Sequence, residues 1–325
     1  MTAGPDYRPP WWYRGRHLQT LWGPLLRRGR PPALRRERVE TPDGDFLDLD
    51  WLAGRDRGAP LVVILHGLEG SSRSHYASGL LREAAQLGWR GLVVNFRSCS
   101  GEVNRSRRMY HSGETEDLEF VLGRLTAREP NLRLGLVGVS LGGNVALKWL
   151  AEQGDQAPPH VAGAVAISTP FNLAACAAAL DRGLNRALYT VNFLSTMKVK
   201  LDKKAELYEG VINLTAARKA KTFAQYDRLV TAPLGGFANE RDYWARSSSG
   251  PMLAQIRRPT LVINALNDPF IPASSLPRAL IAKSRWLEAA FVAEGGHAGF
   301  LQGASGARSW AEVLAVEFLK GHLQG

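Results

Sequence analysis

Short runs of consecutive apolar residues recur along the chain and are separated by segments with a helical spacing of apolar positions. Runs of this kind predict strands that are buried on both faces of a sheet. We expect such strands over residues 61–65, 91–96, 132–139, 161–167, 259–266 and 287–293. The helical pattern occupies residues 74–87, 114–128, 143–150, 275–283 and 307–323. This alternation predicts an α/β fold, with a mostly parallel sheet and helices on both of its faces.

Residues 35–52 and residues 169–258 depart from this alternation. In the first region, Thr41–Gly44 is a turn signal, and Phe46–Trp51 alternates with period two, so a β-hairpin is expected. The second region contains no run typical of a buried strand. Its composition predicts helices over residues 173–180, 184–197, 205–208 and 215–223. We interpret residues 1–325 as one domain into which residues 169–258 are inserted as a helical lid.

Residues 1–34 are predicted to form an N-terminal arm that is rich in Pro, Trp and Arg. Aromatic side chains next to cations, as in Trp11–Arg14, suit either packing on the domain or contact with a lipid interface. Packing is the simpler expectation. The first residues carry no apolar core of a signal peptide, and no uncharged apolar run is long enough to span a membrane.

Composition narrows the classes of function that need to be considered. The chain has 41 Lys and Arg against 30 Asp and Glu, for a net charge of +11. No nucleic-acid motif accompanies this excess, so we expect a generally basic surface, with an anionic membrane surface as the alternative partner. Two cysteines, Cys99 and Cys176, are too few for a disulfide framework and favour a cytoplasmic location. We expect no cofactor and no bound metal.

The strongest chemical signal is Gly138-Val139-Ser140-Leu141-Gly142, at the junction of a predicted strand and a predicted helix. A serine between two glycines at such a junction is typical of a nucleophile elbow. The turn is so tight that the flanking positions have no room for side chains, and the serine is held in a strained conformation. The alternative is a glycine-rich turn with an ordinary serine, and five residues alone do not decide between the two.

Later strand ends supply an acid and then a base, which is the chain order that accompanies a nucleophile elbow. A serine hydroxyl needs a base to take its proton, and the base needs an acid to orient it. Asp268 follows the strand that ends at Leu266, and His297 follows the last predicted strand. Each of the two has a simple structural explanation when it is taken alone. The competing acids are Asp227, Asp242 and Glu294, and the other histidines, which we expect at the surface or in packing, are His17, His75, His111, His160 and His322.

Two backbone N–H groups should hold the oxyanion that forms on the attacked carbonyl. We expect one from Leu141, directly after the serine, and one from Leu68, in the loop after the first buried strand. His66 is interpreted as a support for that loop. Cys99 follows another strand and is expected to edge the site without acting as a nucleophile, because no histidine partner is evident.

The chain resembles the YheT-like α/β-hydrolases, a family that also includes fungal medium-chain ester synthase/esterases and animal membrane-associated lipid hydrolases. The resemblance runs almost from end to end, over residues 15–20, 66–71, 95–101, 110–118, 137–144, 226–227, 264–270 and 295–297. It implies Ser140 as nucleophile, Asp268 as acid and His297 as base. Two departures lie outside this triad. The family usually has glycine where Ser98 stands and asparagine where Arg14 stands.

Together, the residues and the resemblance predict an α/β-hydrolase fold and a serine esterase or lipase-like enzyme. The apolar segment Leu173–Leu194 suggests an acyl pocket, and the family points to medium- or long-chain acyl esters or glycerolipids. Two alternatives stay open. An alcohol O-acyltransferase would use the same acyl-enzyme, and a lipid-binding protein would keep the scaffold without the catalysis.

Overall fold

The computed structural model describes residues 7–27, 32–303 and 306–324, and its centre is an eight-stranded sheet. The strands run in the spatial order β1-β2-β4-β3-β5-β6-β7-β8. Their bounds are β1 Arg35–Glu40, β2 Phe46–Leu52, β3 Leu61–Leu65, β4 Arg90–Asn95, β5 Leu134–Val139, β6 Val161–Ile167, β7 Thr260–Ala265 and β8 Leu287–Val292. β2 pairs antiparallel with both of its neighbours, and the pairs from β4 to β8 are parallel. The predicted hairpin and the predicted strands are confirmed to within about two residues at their ends.

Within the described residues, six α-helices lie outside the segment between β6 and β7. They are α1 Arg16–Leu26, α2 His75–Gln86, α3 Glu116–Arg128, α4 Leu141–Gln153, α13 Arg278–Lys283 and α14 Trp310–Leu323. In β3, Val62 and Ile64 pack with α2 and α14 on one face, whereas Leu61 and Val63 pack with α3 and α4 on the other. Both faces of the sheet are therefore covered, and this is why β3 has an uninterrupted apolar sequence. The predicted fold class is confirmed.

Residues 169–258, the predicted lid, run from β6 to β7 as a series of short helices. These are α5 Leu173–Leu180, α6 Gly183–Asn185, α7 Val191–Lys203, α8 Ala205–Tyr208, α9 Leu214–Lys219, α10 Phe223–Tyr226, α11 Ala232–Leu234 and α12 Glu240–Ser247. Single π-helical turns join α6 to α7 and α10 to α11. Their apolar side chains form a core of their own, centred on Leu194, Leu201 and Tyr226.

The structure corrects several of the helix predictions. The helix expected over residues 184–197 continues to Lys203, and the helix expected over residues 307–323 begins only at Trp310. Two further corrections have a local explanation. The single helix expected over residues 215–223 is two helices, because α9 ends at Lys219 and the Thr222 side chain accepts from Gln225 N–H to begin α10. The helix expected over residues 275–283 begins only at Arg278, after Pro277. In both cases a local cap or a proline sets the boundary within a segment of otherwise helical composition.

The predicted arm contains a helix, α1, that the sequence analysis did not anticipate. Of residues 1–34, the structure describes residues 7–27 and 32–34. Tyr13 and Gln19 are fully buried, so the arm packs on the domain as expected, while Trp11 and Leu25 stay largely exposed. Contact between these exposed side chains and a lipid surface stays a prediction. None of the helices in the described ranges is both long enough and apolar enough to cross a bilayer.

Candidate active site

Ser140 lies at the tight turn between β5 and α4, with a φ of +55°. L-residues rarely adopt this conformation, and it stores strain that the surrounding structure must hold. A Cβ at Gly138 would stand 2.3 Å from the carbonyl oxygen of Gly142, and a Cβ at Gly142 would stand 2.2 Å from that of Leu65. Both contacts are far closer than atoms tolerate. The two glycines are therefore required by the approach of strand, turn and helix, as the sequence pattern predicts.

The structure brings Ser140, His297 and Asp268 together from three loops at the carboxyl ends of strands. His297 Nε2 lies 2.9 Å from Ser140 Oγ, and His297 Nδ1 lies 2.9 Å from Asp268 Oδ2. The other carboxylate oxygen of Asp268 accepts from the N–H groups of Phe270 and Ile271, at 2.8 and 3.3 Å. The Phe270 ring stacks on the imidazole with centroids 4.1 Å apart. Histidine and carboxylate are thus each fixed on two sides.

The three competing acids are bonded elsewhere. Glu294 accepts from Gln19 Nε2 at 2.8 Å, and Asp227 accepts from Thr231 and Trp244. Asp242 accepts from Ala238 N–H and pairs with Arg246. Burial raises the pKa of Asp227 to about 6.

Four of the other histidines make ring or side-chain contacts. His75 lies against Tyr76, His111 packs on Phe237 and Tyr243, and His322 packs on Phe318. His17 contacts the Tyr189 hydroxyl at 3.0 Å.

The N-terminal arm holds the histidine loop, a role that the sequence analysis missed. Thr20 Oγ1 accepts from His297 N–H at 3.0 Å. The Gln19 side-chain oxygen accepts from Gly295 N–H at 3.0 Å and from Asn267 Nδ2 at 2.8 Å, while its amide nitrogen donates to Glu294. One buried side chain therefore joins the loops that carry Asp268 and His297. The only available signal was that residues 15–20 belong to the family resemblance.

The loop after β3 lies beside Ser140, with Leu68 and Leu141 lining the same cavity as the serine. Gly67 N–H donates to the Tyr76 hydroxyl at 2.8 Å, and Glu69 N–H donates to the Tyr110 hydroxyl at 2.9 Å. Among the hydrogen bonds of the described residues, the N–H groups of Leu68 and Leu141 have no acceptor. These two donors are therefore free to bind a ligand oxygen.

His66 supports this loop through contacts of its ring to the backbone, as the sequence analysis expected. Its Nδ1 lies 2.7 Å from Gly67 O, and its Nε2 accepts from Phe96 N–H at 3.0 Å. Complete burial lowers the pKa of His66 to about 4. The ring is therefore neutral near pH 7, and both of its nitrogens are used by the backbone.

Cys99 lies at the edge of this region, and the Lys200 ammonium donates to its sulfur at 3.2 Å. Burial raises the pKa of the Cys99 thiol to about 11, so the nucleophilic thiolate is scarce at neutral pH. One residue away, Ser98 adopts a φ of +64°. That conformation suits the glycine usual in the family, and the Ser98 hydroxyl is held by a 2.6 Å hydrogen bond to Asn104.

Two cavities meet at Ser140 and differ in size and lining. The first, of about 130 Å³, runs under the lid between apolar side chains such as Ala177, Met197 and Phe223. The second, of about 760 Å³, is bordered by α1 and the start of α2 and includes Arg73 and Arg82. Both cavities reach the same six residues at the site, which are Leu68, Glu69, Ser140, Phe193, Phe270 and His297. A substrate with two arms joined at a reacting centre fits this arrangement.

Comparison with known proteins gives a consistent result. A family model described as "alpha/beta hydrolase fold" matches residues 60–304. The chain is 36% identical over 329 residues to YheT of Escherichia coli, a protein named as a candidate esterase, and the match covers 100% of this chain and 96% of that protein. It is 29% identical to Phospholipase ABHD3 of Mus musculus, over 91% of this chain and 74% of that one.

A more distant relative is Monoacylglycerol lipase of Saccharomyces cerevisiae, which is 28% identical over 88% of this chain and 63% of its own length. Among solved structures, the esterase Pf2001 of Pyrococcus furiosus superimposes with a TM-score of 0.58 at 17% identity, covering 90% of this chain and 93% of that one. At this level of identity, the structural likeness supports the fold alone.

Proposed function

The chain belongs to the α/β-hydrolase family of esterases and lipases, and we propose that it hydrolyses carboxylic esters through an acyl-enzyme on Ser140. The observation that carries this proposal is the pair of 2.9 Å contacts that links Ser140 through His297 to Asp268. A serine, a histidine and a carboxylate in this geometry are the parts that nucleophilic acyl transfer needs. Ester hydrolysis also agrees with the names of the relatives.

In the first half-reaction, His297 Nε2 accepts the proton of the Ser140 hydroxyl while Oγ forms a bond to the ester carbonyl carbon. The N–H groups of Leu68 and Leu141 donate to the resulting oxyanion. His297 then gives its proton to the alkoxide oxygen as the carbon–oxygen bond breaks, and the alcohol leaves. Asp268 keeps Nδ1 protonated and stabilises the positively charged imidazolium.

In the second half-reaction, a water molecule takes the place of the alcohol. His297 accepts one of its protons as the water oxygen attacks the acyl carbon, and the same two N–H groups bind the second oxyanion. Collapse of this intermediate breaks the bond to Ser140 Oγ, which recovers its proton from His297. The acid is released, and the resting protonation states are restored.

For the substrate, we propose an ester of a medium- or long-chain acyl group, with glycerolipids as the leading class. The narrow cavity under the lid is lined mainly by apolar side chains and suits one alkyl chain. The wider cavity suits a larger and more polar alcohol portion. Relatives named as a phospholipase and a monoacylglycerol lipase support a lipid ester.

The test combines a fluorophosphonate probe with a series of 4-nitrophenyl esters from acetate to dodecanoate. We expect the probe to label Ser140, and we expect Ser140→Ala to lose at least about 1000-fold in kcat/KM while keeping its thermal unfolding midpoint. Ser195→Ala, at an exposed serine of the lid, is the matched control and should retain both labelling and turnover.

Two outcomes would overturn the proposal. Ester turnover near the wild-type rate in Ser140→Ala would show that another group attacks the ester. A folded wild-type protein that takes up no probe and hydrolyses no ester would favour the lipid-binding alternative instead.

A further inference from the structure

A buried ion pair joins the lid to the loop that carries the proposed oxyanion donor. Lys200 lies on α7, and its ammonium donates to Glu69 Oε1 at 2.7 Å. The side chains of Lys200 and Glu69 are only 16% and 8% exposed. Because Glu69 directly follows Leu68 in the chain, this lid contact ends one residue from the Leu68 N–H.

Glu69 is fixed by more than this one contact. Tyr110 OH donates to Glu69 Oε1 at 2.7 Å, and the same hydroxyl accepts from Glu69 N–H at 2.9 Å. The Glu69 backbone has a φ of +57°, a conformation that persists only where the surroundings hold it. Through the Tyr110 hydroxyl, the carboxylate of Glu69 therefore restrains the Glu69 backbone, which is joined directly to Leu68.

The charge of Glu69 is as important as its position. A carboxylate beside the oxyanion site would oppose the negative charge that develops during the reaction, because like charges repel strongly away from water. The Lys200 ammonium compensates that charge at hydrogen-bond distance. Lys200 also contacts Cys99 at 3.2 Å. Through this one side chain, the lid therefore places a positive charge next to the site.

We propose that Lys200 is a positioning residue, which completes the oxyanion site by holding and neutralising Glu69 when the lid is docked. This inference rests on the proposed function, since it gives Lys200 a role only if an oxyanion forms next to Leu68. It adds a condition that the triad alone does not contain, namely that the lid must be in place for full catalytic power even on a substrate too short to fill the lid cavity.

The experiment compares kcat and KM for 4-nitrophenyl acetate, with each rate divided by the concentration of serine titrated by the fluorophosphonate probe. The acetyl group makes little use of the lid cavity, so its kcat reports on the oxyanion site. We expect Lys200→Met to lower kcat by roughly 10- to 100-fold, with KM changed by less than about 3-fold. Lys200→Arg, which keeps the charge, should recover most of this loss.

Two further variants separate charge from packing. Lys203→Met alters an exposed lysine of the same helix and should match the wild type. The double variant Lys200→Met with Glu69→Gln removes both charges, and its kcat should exceed that of Lys200→Met alone by several-fold. Because rates are counted per titrated serine, the measurement stays valid even if Lys200→Met folds poorly.

A Lys200→Met kcat within about 2-fold of the wild type would overturn the inference and leave the proposed function intact. The inference would also fail if the double variant were no faster than the single one, because the uncompensated charge would then not be the cause. Failure of the wild type to label at Ser140 would instead refute the proposed function.

Discussion

The arm and the lid both cover the carboxyl ends of the strands, but they contact the candidate site in opposite ways. The arm uses buried polar atoms, and Gln19 and Thr20 bond directly to the loops of Asp268 and His297. The lid presents mainly apolar side chains such as Met197 and Phe223 to the narrow cavity. The arm therefore fixes the position of His297, whereas the lid lines the space that we propose for the acyl chain.

This comparison has exceptions in both directions, and on the lid side they include Asp227, which is buried and lines the narrow cavity. The lid reaches the site with a charge at Lys200, and the arm contributes apolar lining to the wider cavity through Leu21 and Leu25. If the division is correct, changes in the arm should affect all substrates alike, and changes in the lid should depend on the acyl chain.

The largest effect is expected from Gln19→Met, which keeps the size of the side chain but removes its hydrogen bonds. Asn267 and Gly295 would lose their acceptor in a buried place, and the His297 loop would shift. We expect kcat to fall by roughly 10- to 100-fold for every ester from acetate to dodecanoate, with the chain-length preference unchanged. Steady-state kinetics across the series measure this effect.

The control for this variant is Leu18→Ala, at an exposed position of the same helix. It should keep wild-type rates. A Gln19→Met enzyme that lost activity only on long-chain esters would contradict the division of roles, because the arm would then be acting on the substrate.

An effect of intermediate size on the stability of the fold is expected when the pH is lowered. It should arise at His111, which contacts the lid. Burial first, and then the nearby Arg108 and Lys148, lower the pKa of His111 to about 4. The unfolded chain therefore binds this proton near pH 6.5 while the folded protein does not, so stability is lost as pH falls from about 6.5 towards 4. The His111 ring packs on Phe237 and Tyr243 of the lid.

For His111 alone, this loss amounts to about 2 kcal/mol between pH 7 and pH 5. We expect His111→Asn to show a smaller drop in its free energy of unfolding over that interval than the wild type, as measured by urea denaturation at each pH. His17→Asn, on the arm, is the control, since that ring is only partly buried. Parallel pH curves for the wild type and His111→Asn would argue against a titrating group at this contact.

The smallest and most selective effect is expected from Ala177→Leu on α5. Ala177 is buried and lines the narrow cavity, so a larger side chain should shorten the acyl chain that fits. We expect dodecanoate turnover to fall by about 10-fold relative to acetate turnover, the size of effect that a few methylene contacts produce. Ala178→Leu, which is exposed on the same helix, should leave the ratio unchanged. An equal loss on all esters would point to a disturbed fold rather than a blocked cavity.

Much of the sheet and of the site could be predicted because the signals are local. β3 is a continuous apolar run with bounds that the structure reproduces, since a strand covered on both faces has no polar positions. Gly138 and Gly142 mark the elbow because a side chain at Gly138 would collide with the backbone of Gly142, and one at Gly142 would collide with the backbone of Leu65. Asp268 and His297 follow strands whose carboxyl ends meet at one edge of a parallel sheet.

What escaped prediction depends on contacts between distant parts of the chain. Gln19 bonds to Glu294, 275 residues away, and nothing near Gln19 in the sequence indicates that partner. The helix α1 was missed because Pro24 lies inside it and its N-cap, Gly15, has no side chain that could signal a helix start. The break between α9 and α10 depends on the cap at Thr222 and on Asp181, which accepts from the N–H groups of Phe223 and Ala224 at the start of α10. The roles of Leu68 and Leu141 stay predictions.

The bond between Thr20 and the His297 backbone, which spans 277 residues, has a consequence for biosynthesis. A ribosome synthesises the arm well before the histidine loop, and at ordinary elongation rates many seconds separate the two. During that interval the nascent chain holds the Ser140 elbow without the histidine that we propose as its base. On the proposed mechanism, hydrolytic competence therefore arises only after His297 has been synthesised and bound by Thr20, and chains that stop before it would lack this esterase activity.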